Sequence, residues 1–267
     1  MRIDGFARCS GGFRGFGAIV IGLLLLAAPA PVAWAESLSV QTRSGVTVDV
    51  DLRVPENAKA LVILMEGGNG RGRPGTAGFA SKAEPLFVRN GLAAALLDAP
   101  SDKRAYKDGM PPEYRNSKAQ ILDLDAVVAA LRQRTRLPVW ILGISWGSQS
   151  ALHYASLRSD RIDGVVALSS VTEHSRGRSI ADMGLDGVAV PLLVGANQDD
   201  SCEHTPPAAA EKIAAAAIHS PAAVVRMFRG GRSVGPDPCG VKTHHTYFGI
   251  EDKVVSAVAQ FIAAQVH

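Results

Sequence analysis

The chain has 267 residues, 47% of them hydrophobic and 20% charged, with a formal net charge of +3. That length and apolar content suit one α/β domain with a sizeable core, burying about 70% of the surface of the unfolded chain. A balance so near neutral argues against nucleic acid as the main partner.

The first 35 residues read as a secretory leader. Arg2, Arg8 and Arg14 supply its positive end, and Phe16 to Val32 supply its apolar stretch. Ala33-Trp34-Ala35 gives a small-x-small cleavage signature. Pro29 and Pro31 break the apolar run, which is too short for a retained anchor, and no cysteine follows it to carry a lipid. Cleavage after Ala35 is therefore expected, giving an exported domain over 36–267, in the periplasm or secreted, with no stable membrane insertion. The leader holds three arginines against Asp4, so its loss brings the net charge to about +1. Cys9 leaves with it. Cys202 and Cys239 remain, and two cysteines in an oxidising compartment read as one disulfide, stabilising by about 3–4 kcal/mol on the chain-entropy account.

From there β-rich and helical stretches alternate. Residues 38–43 and 46–54 read as a hairpin joined by Ser44-Gly45, with alternation in Val46, Val48, Val50 and Leu52. Residues 60–65 form a continuous apolar strand, as a sheet covered on both faces requires. It runs into Glu66-Gly67-Gly68-Asn69-Gly70-Arg71-Gly72-Arg73-Pro74-Gly75, too rich in glycine for a helix. A helix over about 81–90, a strand over 92–97 and a polar loop over 99–116 follow. A longer helix, about 117–134, shows an apolar side of Ile121, Leu122, Leu124, Val127, Val128 and Leu131. Strands at 138–142, 163–168, 190–194 and 223–229 alternate with helices at about 148–157, 206–218 and 249–265. Pro206 and Pro207 stand in the first turn of the helix that starts after Thr205. This order predicts a mostly parallel, doubly wound sheet with helices on both faces, no second domain and no large lid.

Gly143-Ile144-Ser145-Trp146-Gly147 directly follows the apolar run Pro138 to Leu142 and precedes a helical pattern. Strand, G-x-S-x-G, helix is the context of a nucleophile elbow. The tight turn forces strained backbone at the serine, and a Cβ at either flanking glycine would strike the strand or the helix. Beyond the C-terminal ends of later strands stand Asp199-Asp200 and His244-His245, so that Ser, Asp and His occur in the order of a hydrolase triad.

With this order the whole mature chain resembles the α/β-hydrolases, nearest the small dienelactone-hydrolase-like esterases and lipases. The resemblance implies a serine nucleophile, Ser145, and an acid at Asp199. Leu193-Val194-Gly195-Ala196-Asn197-Gln198-Asp199 is similar to the family's strand–His-Gly-x-x-Asp stretch, with Asp200 as the alternative. It implies a histidine at His245, because His245-Thr246-Tyr247-Phe248 is similar to the family's His-Gly-Phe stretch; His244 is the alternative. An oxyanion hole is expected from the Trp146 N–H and, by the same resemblance, the Gly68 N–H. Glu66 stands where the family often has histidine. A Cys202–Cys239 bond would tie the acid loop to the histidine loop.

A competing reading makes Cys202, His204, Cys239, His244 and His245 zinc ligands, but it leaves the serine elbow unexplained. His153 reads as a packed helix residue, and His174, His204 and His219 as loop or helix-end residues. Arg71, Arg73, Lys103, Arg104 and Lys107 read chiefly as solvated loop charges that would also attract an anionic substrate. The expectation is a serine hydrolase acting on a small or medium carboxylic ester, with no metal or organic cofactor. Peptidase or thioesterase chemistry on the same triad, or an exported binding protein that has lost catalysis, are the alternatives. No sequence feature sets an oligomeric state.

Overall fold

A computed structural model describes residues 32–104, 109–172, 180 and 183–266. The apolar leader to residue 31, Lys107, His174 and much of the loop after residue 172 lie outside the described residues. Among the described residues no helix is long and apolar enough to cross a membrane.

Eight strands form one sheet: β1 (Val32–Arg43), β2 (Val46–Pro55), β3 (Leu61–Met65), β4 (Ala93–Leu97), β5 (Val139–Ile144), β6 (Gly164–Leu168), β7 (Leu192–Asn197) and β8 (Ala223–Phe228). Their order is β1-β2-β4-β3-β5-β6-β7-β8, with β1 and β2 antiparallel to their neighbours and every later pair parallel. The helices are α1 (Phe79–Arg89), α2 (Pro112–Arg115), α3 (Lys118–Thr135), α4 (Trp146–Arg158), α5 (Ala209–Ala216) and α6 (Glu251–Ala263).

Period-2 alternation divides the central strands between two cores. Leu61, Ile63, Val139, Ile141, Val165 and Leu192 face α3, α4 and α5. Val62, Leu64, Trp140, Leu142, Val166 and Leu193 face α1 and α6, where Phe79, Phe87, Val254, Val258 and Ile262 meet them. Strands β3 to β7 are buried along their whole length, which is why they read as unbroken apolar runs. In α3, Leu122 is 44% exposed and lies off the apolar side that the sequence suggests for it.

The expected elements recur with shifted ends. Strand β5 continues through Gly143 and Ile144, and β7 runs three residues further, to Asn197, drawing Gly195 and Ala196 into the sheet. Helix α5 starts only at Ala209, after the Pro206-Pro207 pair. The first strand reaches back to Val32, so the last residues assigned to the leader pair with the end of β2. Arg134 on α3 lies over the Trp34 ring and binds Glu36, on either side of the expected cleavage point.

The outer hairpin is fastened to the domain by a buried charge cluster. Arg43, at the end of β1, donates from Nε to Asp123 Oδ1 at 2.7 Å and from Nη2 to Asp123 Oδ2 at 2.9 Å. The Asp123 side chain is 2% exposed and also accepts from the Tyr114 hydroxyl. Removing one partner of a buried pair strands the others in low dielectric. Asp123→Ala is therefore expected to lower the unfolding free energy by about 3 kcal/mol, read as a lower urea midpoint at unchanged m-value.

Candidate active site

The pentapeptide around Ser145 makes the turn from β5 into α4. Ser145 has φ 54° and ψ −126°, a conformation that costs a non-glycine residue about 1–3 kcal/mol and persists only when the surroundings fix it. Three hydrogen bonds do so: Ser145 N–H donates to Leu168 O at 3.0 Å, and Ser145 O accepts from the Ser148 N–H at 2.9 Å and its hydroxyl at 2.6 Å. A Cβ at Gly143 would lie 2.1 Å from Gly147 O, and one at Gly147 2.4 Å from Met65 O. Both flanking glycines are required because backbone meets backbone.

The loop after β3 closes over Ser145. A Cβ at Gly67 would fall 2.7 Å from Ser145 Cβ and 3.3 Å from its Oγ, so a side chain at this glycine, which the G-x-S-x-G pattern does not contain, would press on the serine itself. Gly67 O accepts from Gly70 N–H at 2.8 Å, which fixes the peptide plane whose other end is the Gly68 N–H. The Gly68 carbonyl accepts at 2.8 Å from Nη2 of Arg115, a fully buried side chain that burial pushes down to about 10, against the pull of nearby Glu66. The Glu66 carboxylate accepts from the Gly67 N–H at 3.1 Å and from the Ala80 N–H in the first turn of α1 at 3.0 Å. Burial raises its pKa, while those amides draw it back. It thus ties the loop to a helix N-terminus, where an acceptor is favoured.

Asp200 and His245 come from the loops after β7 and β8. His245 lies in a 3₁₀ turn (His244–Thr246) held at two carbonyls. Asn197 Nδ2 donates to His244 O at 3.1 Å, and the Ser169 hydroxyl donates to His245 O at 2.8 Å. The His245 ring is buried, with Nδ1 3.1 Å from Asp200 Oδ2.

The structure brings Asp200, the alternative, and not the preferred Asp199 to the His245 ring. Asp199 Oδ2 accepts the Gly230 N–H at 3.0 Å, whereas the neighbouring carboxylate, Asp200, meets the imidazole. The physical reason is the turn that ends β7: Asp200 N–H bonds back to Asn197 O and Asp199 N–H to Asn197 Oδ1, so the two side chains leave in different directions. His244 pairs instead with Ser233, Nδ1 to Oγ at 3.0 Å. Sequence reasoning missed Thr205. Its hydroxyl lies 2.9 Å from Asp200 Oδ2 and 3.1 Å from His245 Nδ1.

Cys202 and Cys239 form a disulfide with Cα atoms 4.8 Å apart, so neither thiolate is available to the zinc alternative. Cys202 N–H donates to Asp200 Oδ1 at 2.9 Å, and Cys239 lines the same cleft as Ser145 and His245. That cleft has a volume of about 630 Å³ and is also walled by Asn69, Arg71, Arg73 and Thr76. Arg71 and Arg73 share the buried carboxylate of Asp98, at 3.6 and 2.8 Å, with Arg104 the third cation on it at 3.4 Å. Lys103 binds Asp102 at 3.0 Å. His153 is buried in α4, as its spacing suggests.

A serine held in a strained strand-to-helix turn can present its hydroxyl to a histidine whose other nitrogen faces a carboxylate. Residues 98–189 match the sequence family described as the alpha/beta hydrolase fold. No curated protein matches the chain by sequence. Among solved structures, an esterase of Pyrococcus furiosus superposes with a TM-score of 0.65 at 14% identity, over 88% of this chain and 92% of its own. A dienelactone hydrolase from Anabaena variabilis gives 0.61 at 16% identity, over 88% and 99%. Est1E from Butyrivibrio proteoclasticus gives 0.59 at 16% identity, over 86% and 98%. At such identities the likeness is one of architecture, and the architecture is plain: the chain has the α/β-hydrolase fold.

Proposed function

We propose that this chain is an exported serine hydrolase that cleaves a carboxylic ester of a small or medium substrate through Ser145, His245 and Asp200. One observation carries the reading: the His245 ring has Nδ1 on Asp200 and shares a cleft with a strained Ser145. With Nδ1–H held by the carboxylate, Nε2 is the free base. It takes the Ser145 proton as Oγ attacks the ester carbonyl, then returns that proton to the departing alcohol. Water, activated by the same nitrogen, releases the acid from the acyl-enzyme. The N–H groups of Trp146 and Gly68 are assigned to the oxyanion, each worth about 2.7–4 kcal/mol in the transition state. This route needs no metal or organic cofactor.

The esterases and dienelactone hydrolase among the structural neighbours favour ester over peptide or thioester, and a second structure of Est1E has ferulic acid bound. The disulfide fits an oxidising compartment and so supports export.

Three results test the reading. A fluorophosphonate probe is expected to label the protein and to fail on Ser145→Ala, with turnover on p-nitrophenyl esters falling from acetate to octanoate. Absence of labelling would instead bring forward a binding protein on a hydrolase scaffold. Asp200→Asn should reduce kcat by about ten-thousandfold, as loss of the orienting carboxylate does, while Asp199→Asn should leave it close to wild type. Gly67→Ala should fold but lose about a hundredfold in kcat, because its methyl displaces the nucleophile by a fraction of an ångström or more.

The disulfide closes a separation of 37 residues. Reduction, or the pair Cys202→Ser and Cys239→Ser, should cost about 3–4 kcal/mol of stability and lower kcat as well. Reduction that changed neither melting temperature nor turnover would sink the idea that this bond holds the acid and histidine loops together.

A further inference from the structure

Thr205 precedes Pro206-Pro207, just before the expected start of the following helix. The structure spends the side chain elsewhere. Helix α5 starts at Ala209 with no side-chain cap. The Thr205 hydroxyl, 2% exposed as a residue, lies 2.9 Å from Asp200 Oδ2 and 3.1 Å from His245 Nδ1. Since Nδ1 is also 3.1 Å from the same Oδ2, the three atoms form a nearly equilateral triangle. Neighbouring bonds hold Thr205 there: its N–H donates to Cys202 O at 3.1 Å, and the preceding carbonyl, His204 O, accepts from Thr172 N–H at 2.9 Å.

The protons in this triangle have one consistent arrangement. A carboxylate only accepts, so the Thr205 O–H donates to Asp200. Its oxygen then presents lone pairs, so Thr205 Oγ1 and Asp200 Oδ2 both face Nδ1 as acceptors. Both acceptors draw the imidazole proton to Nδ1 and leave Nε2 bare toward the cleft. A ring with one acceptor can pivot about that contact, whereas a ring with two is fixed in direction as well as in tautomer.

We propose that Thr205 is a positioning residue for the triad, its hydroxyl locking the Nδ1–H tautomer and the ring orientation of His245. The inference rests on the serine-hydrolase reading for its consequence in turnover, but not for the tautomer itself. Its balance requires no further reagent: the Ser145 proton moves to Nε2 and on to the leaving group, while the Thr205 and Nδ1 protons stay in place.

The test uses the mature protein with ¹⁵N-labelled histidine, together with Thr205→Val and Thr205→Ser. In the wild type, His245 should show a protonated Nδ1 and an unprotonated Nε2. Thr205→Val should lose about tenfold in kcat on p-nitrophenyl acetate with KM within about twofold, and its His245 signals should show tautomer mixing. Thr205→Ser should restore both. The proposal is overturned if serine is no better than valine, since the methyl and not the hydroxyl would then matter, or if valine keeps more than half of the wild-type kcat. A wild-type ring protonated on Nε2 also overturns it, whether or not the valine variant folds. Fluorophosphonate labelling of the wild type reports separately on the hydrolase reading, because the tautomer measurement needs no turnover.

Discussion

The site depends on three stretches of backbone that approach too closely for any side chain to stand between them. The end of β5, the first turn of α4 and the loop after β3 meet around Ser145, and at Gly67, Gly143 and Gly147 an added Cβ would come within 2.1–2.7 Å of the opposing atoms. That contact fixes the positive φ of the serine, which local preference alone would reject. The strain is affordable because the strands behind it are buried on both faces, so the turn cannot relax without disturbing the core.

The loop that completes this contact has little apolar material of its own and is held by buried polar groups instead. Glu66 grips it at Gly67 from the start of α1, and Arg115 grips it at the Gly68 carbonyl from α2. Further along, Gly72 N–H bonds to Leu97 O at the end of β4, and Arg71 and Arg73 converge on Asp98 one residue later. Such groups are costly to bury, and the cost is offset only where each finds a partner. Glu66 explains why this chain dispenses with the histidine that the family resemblance leads one to expect there: a carboxylate can accept two backbone N–H groups at a helix N-terminus, which an imidazole cannot.

Much of this was legible in the residues. Buried parallel strands announce themselves as unbroken apolar runs, and the elbow as glycine around serine after such a run, because the physics behind both signals is local. Which aspartate meets His245 was not legible in the same way. Asp199 and Asp200 are adjacent carboxylates at the same strand end, and the choice between them turns on where β7 stops. The sheet carries the strand to Asn197, three residues beyond its apolar run, and the turn then presents Asp200 to His245. Thr205, Gly67 and Arg115 were missed for the same reason: their partners lie far off in sequence and no spacing rule links them. Of the alternatives, His244 and His245 are separated only by tertiary contacts, Ser233 taking one and Asp200 with Thr205 taking the other.

The two halves of the site are therefore built on different principles. Ser145 is fixed by contiguous chain, strand into turn into helix, and its geometry follows from excluded volume. Asp200 and His245 sit in separate loops, and their geometry follows from cross-links. The disulfide joins them covalently, Asn197 and Ser169 bind the carbonyls of His244 and His245, and Thr205 closes a triangle with Asp200 and the ring. Cys202 contributes twice, since its sulfur holds the histidine loop while its N–H holds the Asp200 carboxylate. A perturbation of the cross-links should then reach His245 before it reaches Ser145, because the contacts that fix Ser145 come from Leu168, Ser148 and the end of β3.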